Sequence, residues 1–204
     1  MTKLTVLALV GTLTASPAKS SSEKLARQVL AAIAVHGVTG ELVRLVDHDI
    51  KPGVDTDMGD GDAWPVIREK VLAADILVVS TPIWMGHPSS VTHRLLERLD
   101  AELSETRADG RPTLFDKVAI VAVVGNEDGA HLVSAQLFQA LNDVGYTIPA
   151  QGVTYWVGEA MAKVDYQDLP STPKVTAGTT ATVAANAVHL ATLLKAKKYP
   201  VDAS

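Results

Sequence analysis

The 204-residue chain contains no cysteine, which excludes disulfides, thiolate–metal sites, iron–sulfur clusters and cysteine nucleophiles. No apolar run approaches the roughly 18 residues of a membrane-spanning helix, so we expect no membrane insertion. The formal net charge is −5 and no basic block occurs, which argues against nucleic acid as a partner. Aromatic residues form only 4% of the chain, whereas Ala, Val and Leu are plentiful, and this composition favours helices packed on a parallel sheet.

What the chain does contain suits one globular domain. Hydrophobic residues make up 47% and charged residues 20%, and the length predicts a single domain over residues 1–204. The lack of cysteine fits a reducing compartment, so we expect a cytoplasmic protein. Residues 3–18 resemble a secretory signal in their single Lys, apolar stretch and small residues. We favour the alternative, a buried first strand, because one charge and a poor cleavage site are weak signals.

Strand-like and helix-like segments alternate along the sequence. Apolar segments predict strands at 5–10, 41–46, 75–80, 118–124 and 148–156. Apolar stripes with helical spacing predict helices around 25–33, 67–72, 91–103, 133–144 and 177–197. This alternation implies a three-layer α/β fold with helices on both faces of a five-stranded parallel sheet. Right-handed crossovers favour the strand order 2-1-3-4-5, with the switch point between strands 1 and 3.

Three predicted loops meet outside the carboxyl ends of the strands near that switch point. They follow Val10, Ser80 and Val124. Ligands bind at this edge in open parallel sheets. Because these loops also carry the unusual residues of the chain, we expect the functional site there.

The first of these loops is rich in hydroxyl groups and leads into a helix. Free N–H groups and the dipole at a helix N-terminus attract an anion, and hydroxyls can donate to phosphate oxygens. Neither a P-loop nor a Gly-x-Gly-x-x-Gly pattern is present, and Lys19 alone could add positive charge. The alternative is a flexible serine loop that only caps the helix. The candidate phosphate-binding residues are Thr12, Thr14, Ser20, Ser21 and Ser22.

The second loop combines a Trp–Met pair with Pro and Gly. A flat apolar ring could stack on such a surface, and the Pro and Gly allow the backbone to approach a ligand closely. The alternative is that the Trp packs in the core or at a subunit interface. The candidate ring-binding residues are Pro82, Ile83, Trp84, Met85 and Gly86.

The third loop is short and contains two acidic residues. Its backbone amides could hydrogen-bond the edge of a heteroaromatic ring. The alternative is a tight turn that Asp128 caps before the next helix. The candidate residues are Gly125, Asn126, Glu127, Asp128 and Gly129.

Other candidate sites carry weaker signals. His87, His93 and His131 are each best interpreted as surface residues. The acidic loop (residues 47–63) fails the EF-hand template, so we expect no metal site there. No Gly-x-Ser-x-Gly elbow supports a Ser–His–Asp hydrolase. The sequence therefore designates no catalytic acid, base or nucleophile.

Taken together, the three loops resemble the NADPH-dependent FMN reductases and flavodoxin-like oxidoreductases. The Gly-Ser-x-Arg start of that family's first loop is matched by Gly11-Thr12, with Thr14 where Arg is common, and its serine cluster by residues 20–22. The Thr-Pro-x-Trp pattern is matched by residues 81–84, followed by Gly86 and Ser89. The third loop of the family is often Gly-Gly-rich, whereas acidic residues stand here.

The resemblance implies a flavodoxin-like fold and bound FMN. Thr12, Thr14 and residues 20–22 would then hold the phosphate, residues 82–86 would line one side of the isoalloxazine and residues 125–129 its other edge. NADPH or NADH would supply hydride, and a quinone or another small acceptor would take the electrons. The resemblance also implies a homodimer or homotetramer.

Two alternatives remain open from the residues themselves. A flavodoxin-type electron carrier would share the fold, although the mild net charge argues against acidic docking to basic partners. A non-enzymatic interaction module could use the same fold with a repurposed site. Glu127 and Asp128, if close to a flavin ring, should lower its midpoint potential because negative charge disfavours the anionic reduced form.

Overall fold

A parallel sheet forms the middle layer of the protein, and its strands are buried apolar segments. The computed structural model describes residues 3–160 and 162–200. The strands are β1 (Thr5–Val10), β2 (Thr39–Arg44), β3 (Ile76–Trp84), β4 (His87–Pro88), β5 (Val118–Gly125) and β6 (Val153–Val157). The strands β1, β3 and β5 are almost wholly buried, because helices cover both of their faces. The segment at 5–10 forms the buried strand that we expected there.

In the part of the chain that the structure describes, five α-helices make up the two outer layers. They are α1 (Ser21–Ala34), α2 (Trp64–Ala73), α3 (Ser90–Leu99), α4 (Ala130–Asp143) and α5 (Lys174–Ala196). One apolar core packs α2, α3 and α4 against the sheet, and a second packs α1 and α5 against its other face. Within the described residues, no helix is both long and apolar enough to cross a membrane.

The sheet has the order β2-β1-β3-β5-β6, and neighbouring strands along that path are parallel. The two-residue β4 pairs antiparallel with the end of β3 and lies off this path. Without β4, the order is the predicted 2-1-3-4-5. The prediction of an α/β fold with a parallel sheet of this topology is therefore confirmed.

Several boundaries differ from the sequence-based prediction. The strand β3 continues from Ser80 to Trp84, because its parallel pairing with β5 extends to Pro82 and antiparallel pairing with β4 adds Ile83 and Trp84. The last strand begins at Val153 instead of residue 148, since residues 148–152 form an irregular approach to it. The helix α3 ends at Leu99, and a 3-10 turn over Asp100–Leu103 completes the predicted stripe.

Candidate functional site

A cleft of about 430 Å³ opens at the carboxyl edge of the sheet, between the ends of β1, β3 and β5. Its volume lies within the range of small-molecule sites. The three predicted loops meet there, although Met85, Gly86, Asp128 and Gly129 do not line the cleft. The predicted residues that do line it are Thr12, Thr14, Ser20, Ser21, Ser22, Pro82, Ile83, Trp84, Gly125, Asn126 and Glu127.

The first loop presents hydroxyl groups whose protons remain available to donate. Thr12 Oγ1 accepts from Thr14 N at 3.3 Å, and Ser20 Oγ accepts from Glu23 N at 3.3 Å, which makes Ser20 the N-cap of α1. Ser21 Oγ accepts from the N–H of Gln167 at 3.1 Å. Each of these hydroxyl oxygens accepts a backbone N–H, and its own proton can still donate to a ligand. Together with the N-terminus of α1, these protons suit an anion.

The first loop is held in shape by Arg44, which does not line the cleft. The nearly buried Arg44 guanidinium donates to the carbonyl oxygens of Thr14 at 3.0 Å and Ala18 at 2.9 Å, and it pairs with Glu23. Burial alone would raise the pKa of Glu23, but hydrogen bonds from Arg44 and Arg27 outweigh burial and lower it. The arginine therefore organises the loop, and among the described residues that line the cleft only Lys19 is basic.

The second loop is a tight β-hairpin between β3 and β4. Met85 and Gly86 have φ angles of 51° and 78°, which suit the two central positions of a type I′ turn. Trp84 is 55% exposed and lines the cleft, so it packs neither in the core nor away from the site. Met85 is 89% exposed at the tip. The hairpin thus places the aromatic ring at the cleft and the Met at its outer rim.

The third loop braces this hairpin. Glu127 Oε1 accepts from the N–H of Met85 at 2.8 Å. A side chain at Gly129 would place its Cβ only 2.8 Å from the Cα of Gly86, so the two backbones pack where only glycine fits. Asp128 accepts from the N–H of Gly129 at 2.9 Å and does not cap the helix α4, whose N-cap is Gly129. The second and third loops therefore form one connected unit.

A fourth wall of the cleft escaped the sequence analysis. Trp156, Asp165, Tyr166 and Gln167 line the cleft beside the first and third loops, and Leu13, Lys19 and Val124 complete the lining. The Trp156 and Tyr166 rings pack with centroids 5.4 Å apart. Residues 157–173 show no periodicity that would place them. Only the aromatic residues in an otherwise polar stretch could have indicated that the segment packs back onto the domain.

The remaining candidate groups lie outside the cleft. His87, His93 and His131 are exposed, as expected for surface residues, and the His131 ring packs edge-on against Tyr155 at 5.4 Å. In the acidic loop, Asp62 forms an ion pair with Arg98 at 2.8 Å, and both side chains are fully buried. Asp62 is therefore a structural residue.

Comparisons with known proteins match nearly the whole chain. Residues 4–162 match the family described as NADPH-dependent FMN reductase. The 8-demethyl-8-aminoriboflavin-5′-phosphate synthase of Streptomyces davaonensis is 33% identical over 210 residues, which cover 98% of this chain and 81% of that protein. The divalent metal cation transporter MntH of Mycobacterium bovis is 36% identical over 200 residues, which cover 95% of this chain. This chain spans only 29% of the length of the transporter.

Solved structures also include proteins similar to this chain. RosB with the bound intermediate 8-demethyl-8-formylriboflavin-5′-phosphate has a TM-score of 0.88 and 32% identity, over 98% of this chain and 83% of that one. An NADH:FMN oxidoreductase has a TM-score of 0.65 at 18% identity, over 94% of this chain and 90% of that one. An archaeal flavodoxin has a TM-score of 0.53 at 9% identity, over 91% of this chain and 100% of that one. The last two show the fold alone, and they confirm that it is flavodoxin-like.

Proposed function

The chain belongs to the NADPH-dependent FMN reductase family, and we propose that it passes hydride from NADPH or NADH through FMN to a quinone or another small acceptor. Membership of the family supports FMN as the cofactor and redox chemistry as the reaction. The hydride donor and the acceptor are our proposal. One observation carries it: a single cleft joins a hydroxyl-lined helix N-terminus to an apolar aromatic wall.

The donor set at one end of the cleft fits the phosphate of FMN. The hydroxyls of Thr12, Ser20 and Ser21 are free to donate, and the N-terminus of α1 adds backbone N–H groups. Neutral donors and a helix dipole can bind a phosphate without an arginine. We therefore infer that this loop holds the phosphate even though Thr14 replaces the common arginine.

The other end of the cleft fits a flat heteroaromatic ring. Pro82, Ile83 and Trp84 offer apolar surface, and the segment from Gly125 to Glu127 offers amide groups that can hydrogen-bond polar ring atoms. When bound, FMN would supply the redox chemistry, and the protein would bind, orient and tune it. We assign no side chain the role of a catalytic acid or base, since hydride transfer requires none.

Flavin binding is the first test of this function. FMN and riboflavin are added separately to the apoprotein, and flavin fluorescence is followed. We expect tight quenching by FMN and much weaker quenching by riboflavin, followed by FMN-dependent oxidation of NADPH or NADH in the presence of a quinone. Absence of FMN binding would leave the fold intact but overturn the function, and an interaction module would then be favoured.

The contribution of the first loop can be tested within the same assay. Thr12→Val keeps the shape of the side chain and removes its donor, so the preference for FMN over riboflavin should fall. Thr192→Val is the matched control, because Thr192 is exposed on α5 and its hydroxyl donates within that helix, to Val188 O at 2.7 Å. An equal loss of FMN and riboflavin affinity in Thr12→Val would contradict a phosphate-binding role.

A second candidate function follows from the likeness to RosB, whose structure contains a flavin 5′-phosphate intermediate. In that case FMN would be the substrate of a flavin-modifying enzyme. Mass spectrometry of the flavin after incubation separates the two functions. An unchanged flavin with NADPH or NADH turnover supports the reductase, whereas a changed flavin mass supports modification. Flavin binding with neither reaction would favour the electron carrier.

We also propose that the protein is a homodimer or homotetramer. Trp84 and Met85 expose apolar surface at the rim of the cleft, and large exposed apolar groups commonly mark interfaces. Light scattering in solution would give the mass directly. A monomer at high concentration would contradict this proposal.

A further inference from the structure

Most of the fourth wall of the cleft lies outside the part of the chain that matches the family, and only Trp156 falls within it. That match ends at residue 162, whereas Asp165, Tyr166 and Gln167 line the cleft. We call these three residues the fourth-wall segment. Whatever this segment contributes to binding is therefore additional to the three loops that the family shares.

One face of the helix α1 holds the segment beside the candidate phosphate site. Ser21, Lys24 and Gln28 share this face, since they are three and four residues apart. Lys24 Nζ donates to the carbonyl oxygens of Tyr166, Gln167 and Leu169 at 3.0, 3.1 and 3.1 Å. Ser21 Oγ accepts from Gln167 N, and Gln28 Oε1 accepts from the Tyr166 hydroxyl. This end of the segment is thus fixed next to the serine cluster.

The third loop holds the other end of the segment. Asn126 Nδ2 donates to Asp165 Oδ1 at 3.0 Å and to the carbonyl oxygen of Ala162 at 3.3 Å. Since the third loop is the candidate contact for the flavin ring, the segment runs from the phosphate end of the cleft to the ring end. In FMN the ribityl chain connects these two parts.

The chemistry of Asp165 complements that chain. Ribityl hydroxyls can all donate, and the first loop offers mainly donors. Asp165 instead brings a carboxylate to the cleft, and it is exposed there. The bond from Asn126 occupies one lone pair of Asp165 Oδ1. An ionised carboxylate can accept several further hydrogen bonds. A carboxylate that is already oriented by an amide is a strong acceptor for hydroxyl donors.

We propose that Asp165 binds the ribityl hydroxyls of the flavin, and that Lys24 and Asn126 position it for this role. The proposal rests on the proposed function, since it assigns a subsite within the same cleft. The bond from Asn126 fixes the carboxylate at the ring end, and the Lys24 contacts fix the backbone that follows it. Asp165 is therefore a specificity residue for flavins that carry a polyol chain.

Three flavins separate this role from a general effect on the cleft. The dissociation constants of FMN, riboflavin and lumiflavin, which lacks the ribityl chain, are measured by fluorescence for the wild type and for Asp165→Asn. The asparagine keeps the size and the contact with Asn126, but its NH₂ group replaces an acceptor by a donor. We expect FMN and riboflavin to bind about tenfold more weakly and lumiflavin to be unchanged.

Asp168→Asn is the matched control. It makes the same change of charge three residues later, at the end of the 3-10 turn that Asp165 precedes, but Asp168 does not line the cleft. Its contact with Lys19, at 3.9 Å between exposed side chains, is of the kind that contributes little. All three flavins should bind this variant as they bind the wild type. The thermal unfolding temperatures of both variants should match that of the wild type.

Every other outcome overturns the Asp165 subsite, either alone or together with the proposed function. Unchanged binding of all three flavins by Asp165→Asn would overturn the proposal, and so would an equal loss that includes lumiflavin. Failure of the wild type to bind any flavin would overturn the proposed function and this proposal together. Tight FMN binding by the wild type without discrimination in Asp165→Asn would overturn the subsite alone.

Discussion

The first loop (residues 11–20) and the acidic loop follow neighbouring strands, yet only the first contributes to the cleft. Both are anchored by a buried arginine that pairs with a carboxylate and donates to main-chain carbonyls. Arg44 does so for the first loop with Glu23, and Arg98 does so for the acidic loop with Asp62, also donating to Lys51 O at 3.1 Å. The two anchors are alike, so the loops differ in which polar groups remain available to bind a ligand.

In the acidic loop, folding satisfies the carboxylate of Asp62. Asp62 accepts from the N–H groups of Lys51, Met58 and Trp64 at 3.0 to 3.1 Å in addition to pairing with Arg98. Burial alone would raise the pKa of Asp62, but these donors and Arg98 outweigh burial and lower it. In the first loop the hydroxyl protons stay available. A high density of charge therefore predicts a ligand site less well than the groups left over after folding.

The largest expected effect is the loss of stability when the Arg98 anchor of the acidic loop is removed. Arg98→Met leaves Asp62 buried without its cationic partner, which should lower the free energy of unfolding by about 3 kcal/mol. Chemical denaturation measures this loss. Lys51→Met, which removes a partly exposed ion pair with Asp49, is the control and should cost little. A changed ratio of FMN to riboflavin affinity in Arg98→Met would break the distinction between the two loops.

The attachment of the fourth-wall segment should matter for binding more than for stability. Lys24→Met removes the ammonium that three carbonyl groups share, so FMN and riboflavin affinities should each fall about tenfold, or about 1.4 kcal/mol. Arg27→Met on the same helix removes an exposed cation and is the control. Equal losses in the two variants, measured by fluorescence titration, would contradict a positioning role for Lys24.

The N-cap of α1 links stability to binding in the first loop. Ser20→Ala removes the acceptor of Glu23 N and one hydroxyl donor, and it should cost about 1 kcal/mol of stability, or about 3 °C in Tm. FMN affinity should fall more than riboflavin affinity, because only FMN carries the phosphate. Ser20→Asp is informative as a comparison. It restores the cap but adds a negative charge, so stability should recover while FMN binding falls further.

The smallest expected effect concerns the two acidic residues of the third loop. Glu127 lines the cleft and Asp128 does not, so Glu127→Gln should raise the flavin midpoint potential by about 15 mV, or about 0.7 kcal/mol for two electrons. Asp128→Asn should raise it less. Potentials are measured by spectroelectrochemistry on the FMN complex. A larger shift for Asp128→Asn would contradict the placement of these carboxylates.

Sequence reasoning found most of the residues that line the candidate cleft. The three loops follow neighbouring strands of the sheet, and each begins near the end of an apolar strand segment. Residues such as Thr12, Trp84 and Asn126 follow from this logic. It missed the fourth-wall segment, because Lys24 and Asp165 are far apart in sequence and lie in elements with no shared pattern. It also ended β3 at Ser80, since Pro82 usually interrupts a strand, whereas pairing of residues 81–82 with β5 and of residues 83–84 with β4 keeps the chain extended.

The sequence by itself determined the order of the strands and the edge at which the cleft opens, because apolar periodicity and right-handed crossovers leave few alternatives. The tertiary structure decided which polar groups form internal hydrogen bonds and ion pairs and which remain available to a ligand. Arg44 pairs with Glu23 and donates to carbonyl groups of the first loop, Asp62 pairs with Arg98, and Lys24 holds the fourth-wall segment against α1. These outcomes depend on long-range hydrogen bonds, whose partners no local pattern encodes.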